Sequence, residues 1–141
     1  MMQRIFFILL IVLAGINTKA ASSSIIHSSE KIIAITVNEK GQAFIGRDTL
    51  SLEELSPEVQ KRLWKSYMGT GKMYDAIHLQ FTGEVASGIK KSALDAIQLA
   101  QKNALTEICL EKYKKVFDKL SSRQQKRIEK QFPVLFISNY E

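Results

Sequence analysis

The chain has 141 residues, 20 Lys and Arg against 14 Asp and Glu, and a formal net charge of +6. That length suits one domain rather than two, and 45% hydrophobic with 24% charged residues argues against a wholly disordered or multi-span membrane chain. A single cysteine, Cys109, excludes an internal disulfide and a Cys-based zinc cluster, while His27 and His78 offer no metal-ligand spacing, so no cofactor is implied.

The chain opens MMQR, followed by an uncharged run from Ile5 to Ile16 and then NTKAASSS. A bilayer-spanning helix needs about 20 apolar residues, and this run is too short. Arg4, the apolar run and the small residues Thr18 and Ala20 before Ala21 have the layout of a secretory signal peptide. The other reading is a short membrane anchor that tilts or thins the bilayer. Either reading places the remainder in an extracytoplasmic space, periplasmic or otherwise in the cell envelope. Residues 1–20 are thus signal or anchor, residues 21–30 (ASSSIIHSSE) a Ser-rich linker, and residues 31–141 the folded domain.

Removing residues 1–20 takes away Arg4 and Lys19 and no acid, which leaves a net charge of +4. Residues 21–110 are neutral overall, with ten basic and ten acidic side chains, whereas residues 111–130 carry eight basic and three acidic ones. Lys112, Lys114, Lys115, Arg123, Lys126, Arg127 and Lys130 are therefore candidate contacts for a polyanion such as a cell-wall polymer. The simpler reading is a solvated helix face. Nucleic acid is disfavoured by the export signal and by the scarcity of aromatics at stacking spacing.

In KIIAITVNEKGQAFIG, Ile33, Ile35 and Val37 alternate with Ala34 and Thr36, which predicts a strand. A turn at Asn38-Glu39-Lys40-Gly41 and a returning strand over Gln42–Gly46 complete a hairpin. A helix starts near Ser51, where Ser51 and Glu54 have capping-box spacing; Pro57 suits the first position of a helix restarting there. Leu52, Leu55, Val59 and Leu63 give it an apolar face, extended by Trp64 and Tyr67, and Gly69-Thr70-Gly71 ends it.

Met73–Phe81 predicts a third strand, with His78 and Gln80 opposite its apolar face. A long helix follows from about Ser87 to Lys115, striped by Ala93, Ile97, Ala100, Ala104 and Ile108. Ser121 with Gln124, or Ser122 with Gln125, caps a short last helix that Pro133 stops. Val134–Ile137 then predicts a brief final strand. This order implies an α+β fold, a small mixed sheet of about four strands with two main helices on one face.

No catalytic constellation is visible. His78 lacks a second group in register, Cys109 reads as packing, and Asp95 and Glu107 read as solvated helix positions. Thr70-Gly71-Lys72 is too short for a phosphate loop.

The stretch ITVNEKGQAFIGRDTLSLEEL resembles the start of the periplasmic domain of ExbD/TolR biopolymer-transport proteins. The tail LEKYKKVFDKLSSRQQKRIEKQFPVLFIS resembles the ending typical of Bacteroidota-type ExbD proteins. The resemblance covers roughly residues 31–139. It implies an inner-membrane setting with ExbB/ExbD-type and TonB-like partners, a possible homodimer, and proton-driven outer-membrane transport. It also implies a membrane aspartate as proton carrier, but residues 5–16 contain no ionisable group. The family's turn glycine in the tail is replaced by Lys114 or Lys115.

The chain therefore reads as a non-catalytic binding module without the proton-carrying residue. It would dock an envelope protein by strand addition at an exposed edge, with Val134, Leu135, Phe136 and Ile137 as the candidate partner-binding edge. A cell-wall or polyanion-binding structural protein and a small secreted enzyme or inhibitor are the alternatives.

Overall fold

The computed structural model describes residues 30–141. The signal or anchor expected over residues 1–20, and all but Glu30 of the expected linker, fall outside the described residues. The fold is α+β. Four strands, β1 (Ile32–Asn38), β2 (Gln42–Ile45), β3 (Asp48–Ser51) and β4 (Ala76–Thr82), form one sheet in the order β3-β2-β1-β4. Helix α1 (Leu52–Thr70) lies between β3 and β4, and α2 (Ser87–Tyr113) and α3 (Ser122–Gln131) follow β4. Single 3-10 turns stand at Phe117–Lys119 and Pro133–Leu135.

The alternation in β1 does what period two requires. Ile33, Ile35 and Val37 are buried, while Ala34 faces solvent. β4 runs parallel to β1 with Ile33 opposite Ile77 and Ile35 opposite Leu79, so one sheet face is continuous and apolar. β2 adds Ala43 and Ile45 to that face from its antiparallel pairing. Leu55, Val59 and Leu63 of α1 and Ala93, Ile97, Ala100, Ala104 and Ile108 of α2 meet it in one core. Each fully buried Ile, Leu or Val here contributes about 1.5–3 kcal/mol relative to exposure.

The caps are visible in both sequence and structure. At α1, the Ser51 hydroxyl accepts from the Glu54 N–H, and the Ser51 N–H donates to the Glu54 carboxylate at 2.8 Å. Those bonds, the backbone one foremost, hold the Glu54 carboxyl below its ordinary pKa. Leu50 and Leu55 occupy the two positions of a hydrophobic staple, and both join the core. Gly71 closes α1 in the left-handed conformation, φ 66°, with its N–H donating to the Tyr67 carbonyl. Ser121 and Gln124 form the reciprocal capping box of α3.

Five expectations need correction. Pro57 does not start a helix; it sits inside an unbroken α1, because the Ser51 box already sets the start upstream. The strand expected at Met73–Phe81 begins three residues later, and Met73 is buried in the preceding loop. The fourth strand of the sheet is β3, paired to β2 through the two-residue turn Gly46-Arg47, where Gly46 has φ 63°. The long helix stops at Tyr113, and Lys114 turns the chain at φ 56°, the only described non-glycine residue with positive φ.

The last correction concerns the C-terminus. Val134–Ile137 is not a strand: Pro133–Leu135 is a 3-10 turn. The reason is local competition. Pro133 has no N–H to give a ladder, and the buried Gln101 side chain of α2 takes the carbonyls of Val134 (2.7 Å) and Ile137 (3.0 Å).

Candidate interaction surfaces

The expected partner-binding edge is not available as a strip. Val134 and Leu135 are buried, Ile137 is half-buried, and only Phe136 is exposed, resting on Phe117 at 5.4 Å between ring centres. Gln101 organises this tail. Beyond its two bonds to backbone carbonyls, its Oε1 accepts from the Tyr140 hydroxyl at 2.7 Å. Burial pushes the Tyr140 phenol above its ordinary pKa, which keeps that donor protonated.

The tail ends against the sheet. The Leu79 N–H of β4 donates to the Tyr140 carbonyl at 2.7 Å. β4 is an outer strand of the sheet, seven residues long, and β3 is the other. Among the described residues, this is the one backbone hydrogen bond from a β4 residue to a segment outside the sheet. The sheet face away from the helices carries Ala34, Gln42, His78, Gln80 and Thr82, all exposed. His78 therefore stands on an open, polar face.

The seven basic candidates divide into two groups. Arg123, Lys126, Arg127 and Lys130 follow the spacing i, i+3, i+4, i+7 on α3, so they form one exposed stripe. Ile128, the one buried residue of α3, faces away from it. None of the four makes an ion pair among the described residues.

The other three cluster where α2 ends. The Lys112 ammonium lies 5.6 Å from the Phe132 ring centre and 5.9 Å from that of Tyr67. The Lys114 ammonium donates to the Glu111 carbonyl at 3.2 Å, and Lys115 is exposed.

Polar residues tie α1 to α2. Gln60 donates to the Glu107 carboxylate at 2.8 Å and accepts from Asn103, and the Tyr67 hydroxyl donates to Glu111 at 2.9 Å. Glu107 is thus half-buried and bonded rather than simply solvated, whereas Asp95 is exposed and paired with Lys91. Burial first, and then Glu111, push the Tyr67 phenol up to about 12. Trp64 and Tyr67 sit at the core edge, 5.6 Å apart, and Tyr67 packs edge-on against Phe132.

Cys109 is fully buried, and that burial raises its thiol pKa, which disfavours the nucleophilic thiolate. Among the described residues, no three His, Cys, Asp or Glu side chains converge as a metal site would require. No described helix is long and apolar enough to cross a membrane. Comparison with family models, curated proteins and solved structures returned no match.

Proposed function

We propose that this chain is a non-catalytic module of the cell envelope that binds an extended segment of another envelope protein by strand addition. The observation that carries this reading is β4, a long outer strand whose far side is engaged by one tail bond, Leu79 to Tyr140. An added peptide there gains main-chain hydrogen bonds, and the alternating β4 side chains select its sequence. The resemblance to ExbD/TolR proteins supports a TonB-like partner and a role beside proton-driven outer-membrane transport. Residues 5–16 carry no acid to relay protons, so that step belongs to a second subunit.

The test is an amide-shift titration with TonB-like periplasmic segments. Shifts along residues 76–82 are expected. No shift with any such segment at about millimolar concentration, the weak end of specific binding, removes the reading.

The exposed stripe on α3 favours a second reading, attachment to an anionic cell-wall polymer. Such attachment weakens steeply as salt rises. Binding that is flat with salt eliminates it.

A further inference from the structure

A second charged feature lies along α1, beside its buried face. An open groove of about 600 Å³ is lined by Lys31, Lys61, Arg62, Lys65, Ser66 and Tyr74, with Glu58 at its wall. Lys31 precedes β1, and α1 supplies the next four. Spacings of three and four bring Lys61, Arg62, Lys65 and Ser66 round to one side of that helix.

The groove holds one ammonium in a fixed position. Lys31 Nζ donates to Ser66 Oγ at 2.8 Å and lies 4.6 Å from the centre of the Tyr74 ring. Ser66 is itself buried, and its hydroxyl proton is committed to the Lys72 carbonyl at 2.8 Å. The hydroxyl oxygen therefore faces Lys31 as an acceptor. A lysine that normally samples many rotamers is held at the groove by a serine and a ring, neither of which neutralises it.

The local charges do not balance. Glu58 is shared between Arg62 at 2.8 Å and Lys61 at 3.7 Å, and Arg62 also holds Asp48 at 2.6 Å. Lys31 and Lys65 make no ion pair among the described residues. The preceding residues 1–29 contain no Asp or Glu, so that segment has no carboxylate to offer. Asp75 and Glu30 lie in the adjoining hollow that shares Lys31 and Tyr74, and neither pairs with the Lys31 ammonium. The Asp75 carboxylate accepts the Lys31 backbone N–H at 2.6 Å rather than the ammonium.

We infer that this groove is a binding site for a phosphate group, with the Lys31 ammonium as the fixed donor and Lys61 and Lys65 closing on the anion from α1. Several lysine point charges around an open hollow suit the three or four oxygens of a phosphate. A soluble phosphate ester and a phospholipid headgroup share this chemistry, and the experiment separates them.

The full chain is placed in phosphatidylcholine bicelles, and the amides of residues 31, 65, 66 and 74 are followed. Inorganic phosphate is added, against sodium chloride of equal ionic strength. In a parallel arm, phosphatidylglycerol replaces part of the phosphatidylcholine and no phosphate is added. Saturating shifts with inorganic phosphate but not chloride establish a site open to soluble phosphate. Shifts with phosphatidylglycerol alone establish a headgroup site.

In either arm, Lys31→Met with Lys65→Met weakens binding at least about tenfold, the effect of losing a charge-assisted bond or more. Ser66→Ala, which frees Lys31 without removing charge, weakens it by a smaller factor. Lys40→Gln with Lys102→Gln, two exposed lysines outside the groove lining, leaves it unchanged. Equal responses to phosphate and chloride with no phosphatidylglycerol response overturn the inference. So does undiminished binding by the Lys31/Lys65 variant with its remaining amides at their usual shifts.

Discussion

Gln101→Leu tests whether a single buried side chain fixes the C-terminal tail. Gln101 is 3% exposed and makes three hydrogen bonds, to the carbonyls of Val134 and Ile137 and from the Tyr140 hydroxyl. Leucine fills similar volume but leaves all three groups without their partner. The Ile137 carbonyl is half-buried and regains water; the Val134 and Tyr140 bonds are buried and do not. Each of the two buried orphans costs about 1–3 kcal/mol, so the variant loses about 2–6 kcal/mol. Urea unfolding followed by the fluorescence of Trp64, the single tryptophan, reads this directly. With a urea slope of about 1.5 kcal/mol/M, the midpoint falls by about 1–4 M.

Hydrogen exchange supplies the local readout for the same variant. The Leu79 amide donates to the Tyr140 carbonyl, so a loosened tail exposes it while the amides shared by β1 and β2 stay protected. Tyr140→Phe deletes one bond and is expected to cost about 1 kcal/mol, with a double-mutant coupling to Gln101. A Gln101→Leu protein with an unchanged midpoint and unchanged Leu79 exchange refutes the clamp.

Three further outcomes are expected. Lys114→Gly relieves a side chain held at φ 56° and raises stability by about 1 kcal/mol in the same urea assay; a loss of stability contradicts the strain assigned there. Ile128→Ala removes the one buried side chain of α3 and costs about 2–4 kcal/mol, with early loss of protection in residues 122–131; protection equal to the parent shows that α3 is held by something else. The Tyr67 phenol is raised from 10 to about 12, so the unfolded chain releases its proton first and stability, full below pH 10, is lost as pH climbs towards 12. Tyr67→Phe flattens this alkaline loss, and a slope equal to that of the parent rules the assignment out.

The sheet core was legible because its signal is periodic. Ile33, Ile35 and Val37 alternate, and so do Ile77 and Leu79, which places each set on one face without further information. The caps were legible because they are local: Ser51 with Glu54 and Ser121 with Gln124 each span three residues. β3 was not legible. Asp-Thr-Leu-Ser has a single apolar residue and no alternation, and the clue lay in the neighbouring Gly46-Arg47 turn. Lys114 was read as departing from a turn glycine, and it does occupy the left-handed position that glycine would fill most easily.

The interaction surfaces were less legible for a different reason: they are assembled across long separations. Four apolar residues after a proline read equally as a buried strand or a buried turn, and length alone does not decide. The decision is made by Gln101, 33 residues before Val134, whose amide claims the carbonyls a ladder would have used. Lys31 likewise reaches Ser66 across 35 residues, and nothing in either neighbourhood announces the pairing. Charge along the sequence pointed to α3, whereas Lys61 and Lys65 lie in a stretch that is neutral overall. The tail that fails to become a strand instead ends on β4, with its Tyr140 carbonyl at the Leu79 N–H. The outer edge on which the proposed strand addition depends is therefore β4, and in that proposal an incoming peptide replaces this single bond before it extends along the strand.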